Sequence, residues 1–262
     1  MVSSKNLIKS ALLLLLIFPV VLLFAACGDV TKDLETKASC TTTGEWTAST
    51  EAEVDEYLGD QTAIESNGYR MTFEWDFGGE FGSMSVNAII TKTQFAVKMF
   101  VAKQFINALA GEEVATSDIT GYAYYTDGKL YSDATDEQGK QTKEYREMNL
   151  EQALDIGMGE ASAFTTVESL LEAIDAAPVA YYKDGNNFKM ETTQGFNYNG
   201  MPVESAVAYL NFNGDKKITA IEMSYTIQGS GTATVIMSAF NGNINFPSFN
   251  GYNYIPDNGN DE

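Results

Sequence analysis

The stretch YRMTFEWDF, residues 69–77, alternates apolar and polar side chains from end to end. Every second residue is apolar: Tyr69, Met71, Phe73, Trp75 and Phe77. Because successive side chains of a strand point to opposite faces, this alternation predicts a β-strand with one buried face and one face in water. Clean alternation of this kind is typical of an antiparallel sheet that packs on one side only.

Similar β patterns recur along the chain, at residues 83–91, 94–105, 121–125, 129–131, 179–183, 188–193, 206–212, 217–227 and 232–240. Asp127-Gly128 is a hairpin signal, because both residues tolerate the positive φ angles of a tight turn. The pattern leaves open whether residues 102–110 are helical, and residues 139–143 are predicted to be a polar loop. Together these patterns predict a mainly β (α+β) fold built on a large antiparallel sheet.

Three helices are predicted from pairs of capping residues: Thr50 with Glu53, Asn149 with Gln152, and Thr165 with Glu168. In such pairs the first side chain accepts a hydrogen bond from a backbone N–H of the first helical turn. The last helix also carries an apolar stripe at helical spacing, made of Val167, Leu170, Leu171 and Ile174. We expect this stripe to face the sheet.

Residues 1–26 have the pattern of a secretory signal peptide. Two lysines precede an apolar run at residues 11–24, which is short against the ~20 residues of a membrane-spanning helix, and small residues follow it. The motif FAAC at residues 24–27 resembles a bacterial lipobox, with Phe24 where Leu is usual. The resemblance implies diacylglycerol on the Cys27 thiol, cleavage before Cys27 and an acylated amino terminus. An uncleaved anchor and ordinary cleavage with an unmodified Cys27 are the alternatives.

The chain is strongly acidic. Residues 1–26 contain two lysines and no acids, so the chain from Cys27 onward has 14 basic and 36 acidic side chains, a net charge of −22. Phosphate contacts need clusters of Lys and Arg, which excludes a nucleic-acid-binding protein. The same charge disfavours adsorption of the protein surface onto anionic lipid. We therefore expect the acyl chains to make the membrane contact, on the extracytoplasmic side of the cell membrane.

No catalytic motif stands out in the sequence. The chain contains no histidine, which removes the commonest general base and metal ligand, and nucleophile-elbow, zinc-protease, Walker and Rossmann patterns are missing. Glu74 and Asp76 fit a solvated strand face, and Asp133, Asp136 and Glu137 lack the spacing of a calcium loop. We expect no enzymatic activity, no cofactor and no metal.

Composition divides the chain into four parts: a signal peptide at 1–26, a flexible tether at 27–49, a β domain at 50–246 and an irregular acidic tail at 247–262. The predicted tether contains Cys40. This cysteine lacks a disulfide partner if Cys27 carries lipid, so it is either a reactive thiol or a bystander.

The order of elements over residues 50–246 resembles that of LolA- and LppX-like lipoproteins, and the segment YYTDGKLY at residues 124–131 contributes to the resemblance. It implies a half-barrel of curved antiparallel sheet with two or three helices on its concave side, where some family members carry acyl chains. A pocket between sheet and helices would be lined by Met71, Phe73, Trp75, Phe77, Leu170, Leu171 and Ile174. The alternative is that these side chains pack on one another as core.

Two functions remain open from the sequence. The first is a membrane-anchored, non-catalytic lipoprotein that binds a lipid or another hydrophobic ligand. The second is an envelope interaction or structural lipoprotein with a packed core and no small-molecule ligand. Six aromatic residues on predicted strands would be either a platform for sugars or peptides or ordinary sheet filling: Tyr122, Tyr124, Tyr131, Tyr181, Phe188 and Tyr209.

Overall fold

The computed structural model describes residues 30–59, 61, 64, 66–78, 81–136, 139–158, 177–198 and 201–256. Within these residues there are four helices and fourteen strands, and the strands form a large, mostly antiparallel sheet that is not closed. This confirms the mainly β fold class predicted from the alternating patterns. The helix predicted after Thr165 lies outside the described residues. The chain divides into two compact units.

Unit 1 takes in Met1–Thr36, Glu80–Ser162 and Asn243–Glu262. Its described strands, in the order in which they pair, are β3 (Ser83–Thr91), β4 (Phe95–Val101), β5 (Ile119–Thr126), β6 (Lys129–Thr135), β7 (Gln141–Glu147) and β14 (Asn253–Tyr254). These pairs are antiparallel except for the short parallel pairing of β14 with β7. Its described helices are α1 (Val30–Glu35), α3 (Lys103–Ala110) and α4 (Leu150–Met158).

Unit 2 takes in Lys37–Gly79 and Ala163–Gly242. Its described strands, in pairing order, are β1 (Thr47–Ala48), β8 (Val179–Asp184), β9 (Asn187–Thr192), β11 (Met201–Phe212), β12 (Ile218–Ile227), β13 (Gly231–Phe240) and β2 (Gly68–Asp76). The short strand β10 (Phe196–Tyr198) pairs with β11. All these pairs are antiparallel. The described helix of this unit is α2 (Glu51–Leu58).

The alternation of β2 sets the buried face of unit 2. Met71 on β2 pairs with Met237 on β13, and the same row continues through Ile221 on β12, Leu210 on β11 and Phe188 on β9. All five side chains are at most 1% exposed. Burying a side chain of this size contributes about 1.5–3 kcal/mol, so this row strongly favours the observed register of the five strands.

Local signals in the sequence are confirmed at three places. Thr50 caps α2 and accepts a hydrogen bond from a backbone N–H of its first turn. At the start of α4, Asn149 and Gln152 exchange hydrogen bonds, the side chain of each accepting from the backbone N–H of the other. In the β5–β6 hairpin, Asp127 and Gly128 have φ angles of 53° and 73°, which a tight turn between twisted strands requires.

In unit 1, α1 and α4 lie on opposite faces of the strands. Glu35 at the end of α1 forms an ion pair with Lys98 of β4. Gly157 of α4 lies against the ring of Phe95, three positions before Lys98, and therefore on the other face of β4. A Cβ atom at position 157 would be only 3.0 Å from this ring, so the glycine permits the close packing of α4.

One segment predicted as a polar loop is in part a strand. The loop was expected at residues 139–143, whereas β7 begins at Gln141 and pairs with β6 along its whole length. Its sequence QTKEYRE carries polar or charged side chains on both faces, so it has no apolar alternation to reveal it. The ladder of backbone hydrogen bonds with β6, and not a buried face, defines this strand.

The C-terminal segment, residues 243–255, packs on unit 1. An irregular tail was expected from residue 247, and residues 247–252 contain no helix or strand, but their packing was not foreseen. Its strand β14 pairs with β7, and the Ile255 N–H donates to the Tyr145 carbonyl oxygen at 3.0 Å. Ile244 and Pro247 are buried. The aromatic side chains of this segment provide the physical reason, since they find partners on β5, β6 and β7.

Candidate functional site

An aromatic strip formed by Phe73, Trp75 and Phe77 lies on the apolar face of β2 and at its end. The Trp75 and Phe77 rings are stacked with centroids 4.7 Å apart, and Phe73 meets Trp75 edge-on at 6.4 Å. The indole N–H of Trp75 donates to the Ser230 carbonyl oxygen at 2.9 Å, which fixes the ring. Trp75 is buried, while Phe73 and Phe77 are half-buried. The strip thus offers apolar surface beside the core of unit 2.

Four of the residues predicted to line a ligand pocket lie here: Met71, Phe73, Trp75 and Phe77. Met71 belongs to the buried row across five strands, so it contributes core and not surface. Leu170, Leu171 and Ile174 lie outside the described residues, as does Cys27. The structure therefore brings together the sheet side of the predicted pocket.

The N-terminal segment, residues 37–48, lies along the polar face of unit 2 where a flexible tether was expected. The Ala38 N–H donates to the hydroxyl of Thr72 on β2 at 2.9 Å. Asn211 on β11 is buried, accepts from the Thr41 N–H and donates to the Thr41 carbonyl oxygen. At the end of the segment β1 pairs with β8. Side chains on the wet face of the sheet make these bonds, and apolar periodicity gives no sign of them.

Cys40 lies inside this contact and is half-buried. Its Sγ donates to the side-chain oxygen of Asn211 at 3.3 Å and lies 3.6 Å from the carbonyl oxygen of Tyr209. Burial, followed by the nearby Glu222 carboxylate, raises the pKa of the Cys40 thiol to about 12. Because the thiolate is the nucleophile, this thiol is unreactive at neutral pH.

Glu222 on β12 is expected to reduce the stability of the protein at neutral pH. Desolvation raises its pKa above the ordinary value of 4.5. The folded protein therefore binds this proton more tightly than the unfolded chain. The resulting stabilisation is fully present below the ordinary pKa and is lost as the pH rises through the raised pKa. We expect Glu222→Gln to unfold at a higher temperature than the wild type at pH 7, and the difference to disappear by about pH 4.

Thermal unfolding followed by circular dichroism between pH 4 and 8 measures this effect. The matched control is Glu204→Gln, at an exposed position of β11. If Glu222→Gln and Glu204→Gln follow the same pH dependence, burial of the Glu222 charge has no part in the stability of the fold.

The C-terminal segment packs its aromatic side chains on tyrosines of β5 and β6. The Phe249 ring stacks on Tyr131 with centroids 3.7 Å apart and lies 5.9 Å from Tyr124. Tyr252 meets Tyr131 edge-on at 5.5 Å. Tyr124 is fully buried. The spacing of aromatic residues in FPSFNGYNY, residues 246–254, is the sequence signal for this packing, and the prediction of an irregular tail overlooked it.

A buried carboxylate lies beside this aromatic cluster. Asp133 on β6 is fully buried, its Oδ2 accepts from the Tyr252 hydroxyl at 3.0 Å, and Lys143 Nζ of β7 lies 3.3 Å away. Burial and the Asp133 charge raise the pKa of Tyr252 well above its usual range, so the hydroxyl stays protonated and donates. The pairing joins the C-terminal segment to β6 and β7. The candidate calcium ligand Asp133 is thus a partner of Lys143 and Tyr252.

The six aromatic residues considered as a platform do not share one face. Tyr181 and Phe188 lie on the apolar face of unit 2, whereas the strand register puts Tyr209 on its polar face. In unit 1, Tyr124 and Tyr131 contact the C-terminal segment. Tyr124 and Tyr131 therefore serve to pack that segment on the sheet.

The carboxylates on the wet face of β2 take part in local contacts. Glu74 forms an ion pair with Lys37, and Asp76 accepts a hydrogen bond from the Gly78 N–H at 2.9 Å. In the part of the chain that the structure describes, no group of three or more Cys, Asp or Glu side chains is placed to hold a metal ion. Over the same residues, no helix is long and apolar enough to cross a membrane.

No family model and no curated protein matches the chain. Its function has to be inferred from its own residues.

Proposed function

We propose that the chain is a lipoprotein, anchored by Cys27 to the extracytoplasmic side of the cell membrane, and that it is not an enzyme. It binds a lipid or another hydrophobic ligand between sheet and helices. The arrangement we propose for this is the half-barrel of LolA- and LppX-like lipoproteins, with the helices on the concave side. The lipobox-like motif at residues 24–27 and the apolar run before it support the anchor.

The aromatic strip is the observation that supports ligand binding. Phe73 and Phe77 flank the buried Trp75 and are half-buried, next to side chains that are almost wholly buried. Covering apolar area contributes about 25 cal/mol per Å². The Trp75 N–H already donates to Ser230, so an apolar ligand would leave no donor of this ring unsatisfied. An acyl chain, which has no polar group along its length, meets these requirements.

We expect native mass spectrometry of the full protein, extracted in mild detergent, to detect one bound lipid per chain. Phe73→Lys and Phe77→Lys should each reduce lipid occupancy by about tenfold or more. An acyl chain bound beside Trp75 would displace the water around the new ammonium group, and this desolvation of a charge is unfavourable. The matched control is Thr232→Lys, which adds the same charge on the exposed polar face of β13, opposite Asp76. This variant should keep its lipid.

An envelope interaction protein without a ligand is the second candidate. Two observations favour it. The row of side chains that runs from Met71 across five strands is completely buried, and Tyr124 packs against the chain's own C-terminal segment. For this candidate, neither the wild type nor any of the three variants would carry a noncovalently bound lipid, even after incubation with phospholipid and fatty acid. That result would refute ligand binding at the strip.

A further inference from the structure

Helix α1 begins three residues after Cys27. Its Val30 and Leu34 side chains are at most 1% exposed, where the helix packs on β3 and β4 of unit 1. Glu35 adds an ion pair with Lys98 of β4. Gly28 and Asp29 are the only residues between Cys27 and this packed helix.

This connection is too short to act as a spacer. Three residues span at most about 10 Å when fully extended. A flexible tether of about 20 residues, which the sequence predicted, would have an end-to-end distance of roughly 25 Å. Acyl chains buried in the bilayer hold Cys27 at the level of the lipid headgroups. Val30 then lies within about 10 Å of that level, and β3 and β4 are the strands next to it.

The charges around α1 are compatible with this position. The chain from Cys27 onward has a net charge of −22, but the charged side chains at and around α1 sum to only −1: Asp29, Lys32, Asp33, Glu35 and their neighbour Lys98. The distance allowed by the connection is close to the Debye length of about 8 Å at physiological ionic strength. Excess negative charge at this distance would be repelled by anionic lipid, and these five side chains carry a single net negative charge.

We propose that unit 1 is held directly on the bilayer surface through α1, so that the headgroup layer of the anchoring membrane is the partner of this side of the protein. The proposal rests on the lipid modification of Cys27 proposed above. It also keeps the protein at the surface of that membrane, because the connection from Cys27 to α1 is too short to reach across an envelope.

Neutron reflectometry of the full, lipid-modified protein on supported bilayers of phosphatidylethanolamine and phosphatidylglycerol tests this. The native protein layer should begin within about 10 Å of the headgroups. Insertion of 20 Gly and Ser residues between Gly28 and Asp29 should let the acidic protein lift off the anionic surface and open a water layer of roughly 25 Å. Added salt should then shrink this layer by screening the repulsion.

Two point variants test the role of α1 in the same experiment. Leu34→Asp removes the buried contact of the helix and should increase the distance to the bilayer. Lys32→Gln, at an exposed position, changes the net charge by the same amount and should leave the native distance unchanged. Equal water layers for the native and insertion proteins would overturn the proposal. Equal bilayer binding by Cys27→Ser would instead refute the lipid anchor on which the proposal rests.

Discussion

Replacing Cys27 by serine is expected to abolish lipid attachment and to remove the mature protein from the membrane fraction. Each buried CH₂ of an acyl chain contributes about 0.8 kcal/mol to membrane binding. The rest of the chain offers no substitute, because its net charge of −22 opposes adsorption onto anionic lipid. The loss of mature protein from the membrane should therefore be complete, with any remaining signal being unprocessed precursor.

Fractionation with an immunoblot and labelled palmitate measures this loss. The matched control is Cys40→Ser, at the other cysteine of the chain, whose thiol is half-buried against Asn211 of β11 and is not acylated in the arrangement we propose. This control should remain membrane-bound and labelled. Normal cleavage of Cys27→Ser together with unchanged membrane retention would contradict the lipobox interpretation.

The second large effect is expected at the buried carboxylate of unit 1. Lys143→Met removes the cation 3.3 Å from Asp133, which is fully buried. Breaking a buried ion pair by removing one partner costs about 3–5 kcal/mol. Because Lys143 is itself partly exposed, we expect a loss of about 2–3 kcal/mol in the free energy of unfolding. Urea denaturation followed by far-UV circular dichroism measures it, because both tryptophans of the chain, Trp46 and Trp75, belong to unit 2.

A double-mutant cycle separates the charge from other effects of Lys143→Met. The double variant Asp133→Asn, Lys143→Met buries no charge at this site. Its loss in the free energy of unfolding should be smaller than the sum of the two single losses by about 1 kcal/mol or more. Lys140→Met, at an exposed position before β7, is the control and should change stability little. Equal effects of Lys143→Met and Lys140→Met would show that the pair with Asp133 does not stabilise unit 1.

Sequence predicts those parts of the fold in which a local pattern of residue types is compatible with one kind of structure. The alternation of β2 identifies its buried face, because exposing the large apolar side chains of Met71 and Trp75 to water is unfavourable. Asp127-Gly128 identifies a hairpin, since few other pairs adopt two positive φ angles. Thr50 and Asn149 identify helix starts through their caps.

The parts that sequence reasoning missed are held by polar or long-range contacts. The N-terminal segment resembles a tether in composition, but the Asn211 amide, about 170 residues further along the chain, binds its backbone at Thr41. Strand β7 is defined by hydrogen bonds to β6 and carries no apolar pattern. Asn211 lies far outside any local sequence window, and the polar sequence of β7 shows no apolar alternation within one.

The candidate site shows the same division. The sheet side of the pocket, from Met71 to Phe77, follows from period-two spacing, and the stacking of Trp75 on Phe77 then follows from their shared face. The indole bond to Ser230 depends on a turn more than 150 residues away. The separation of Met71 as core from Phe73 as accessible surface depends on neighbouring strands, so only the folded sheet distinguishes them.

The measurement that tests the central claim most directly is the intact mass of the mature protein extracted from membranes. We predict a polypeptide that begins at Cys27 and carries the added mass of a diacylglyceryl group on that residue, with or without a further acyl group on the new amino terminus. A mature polypeptide with an unmodified Cys27, or a membrane-bound chain that retains residues 1–26, would contradict the lipoprotein assignment.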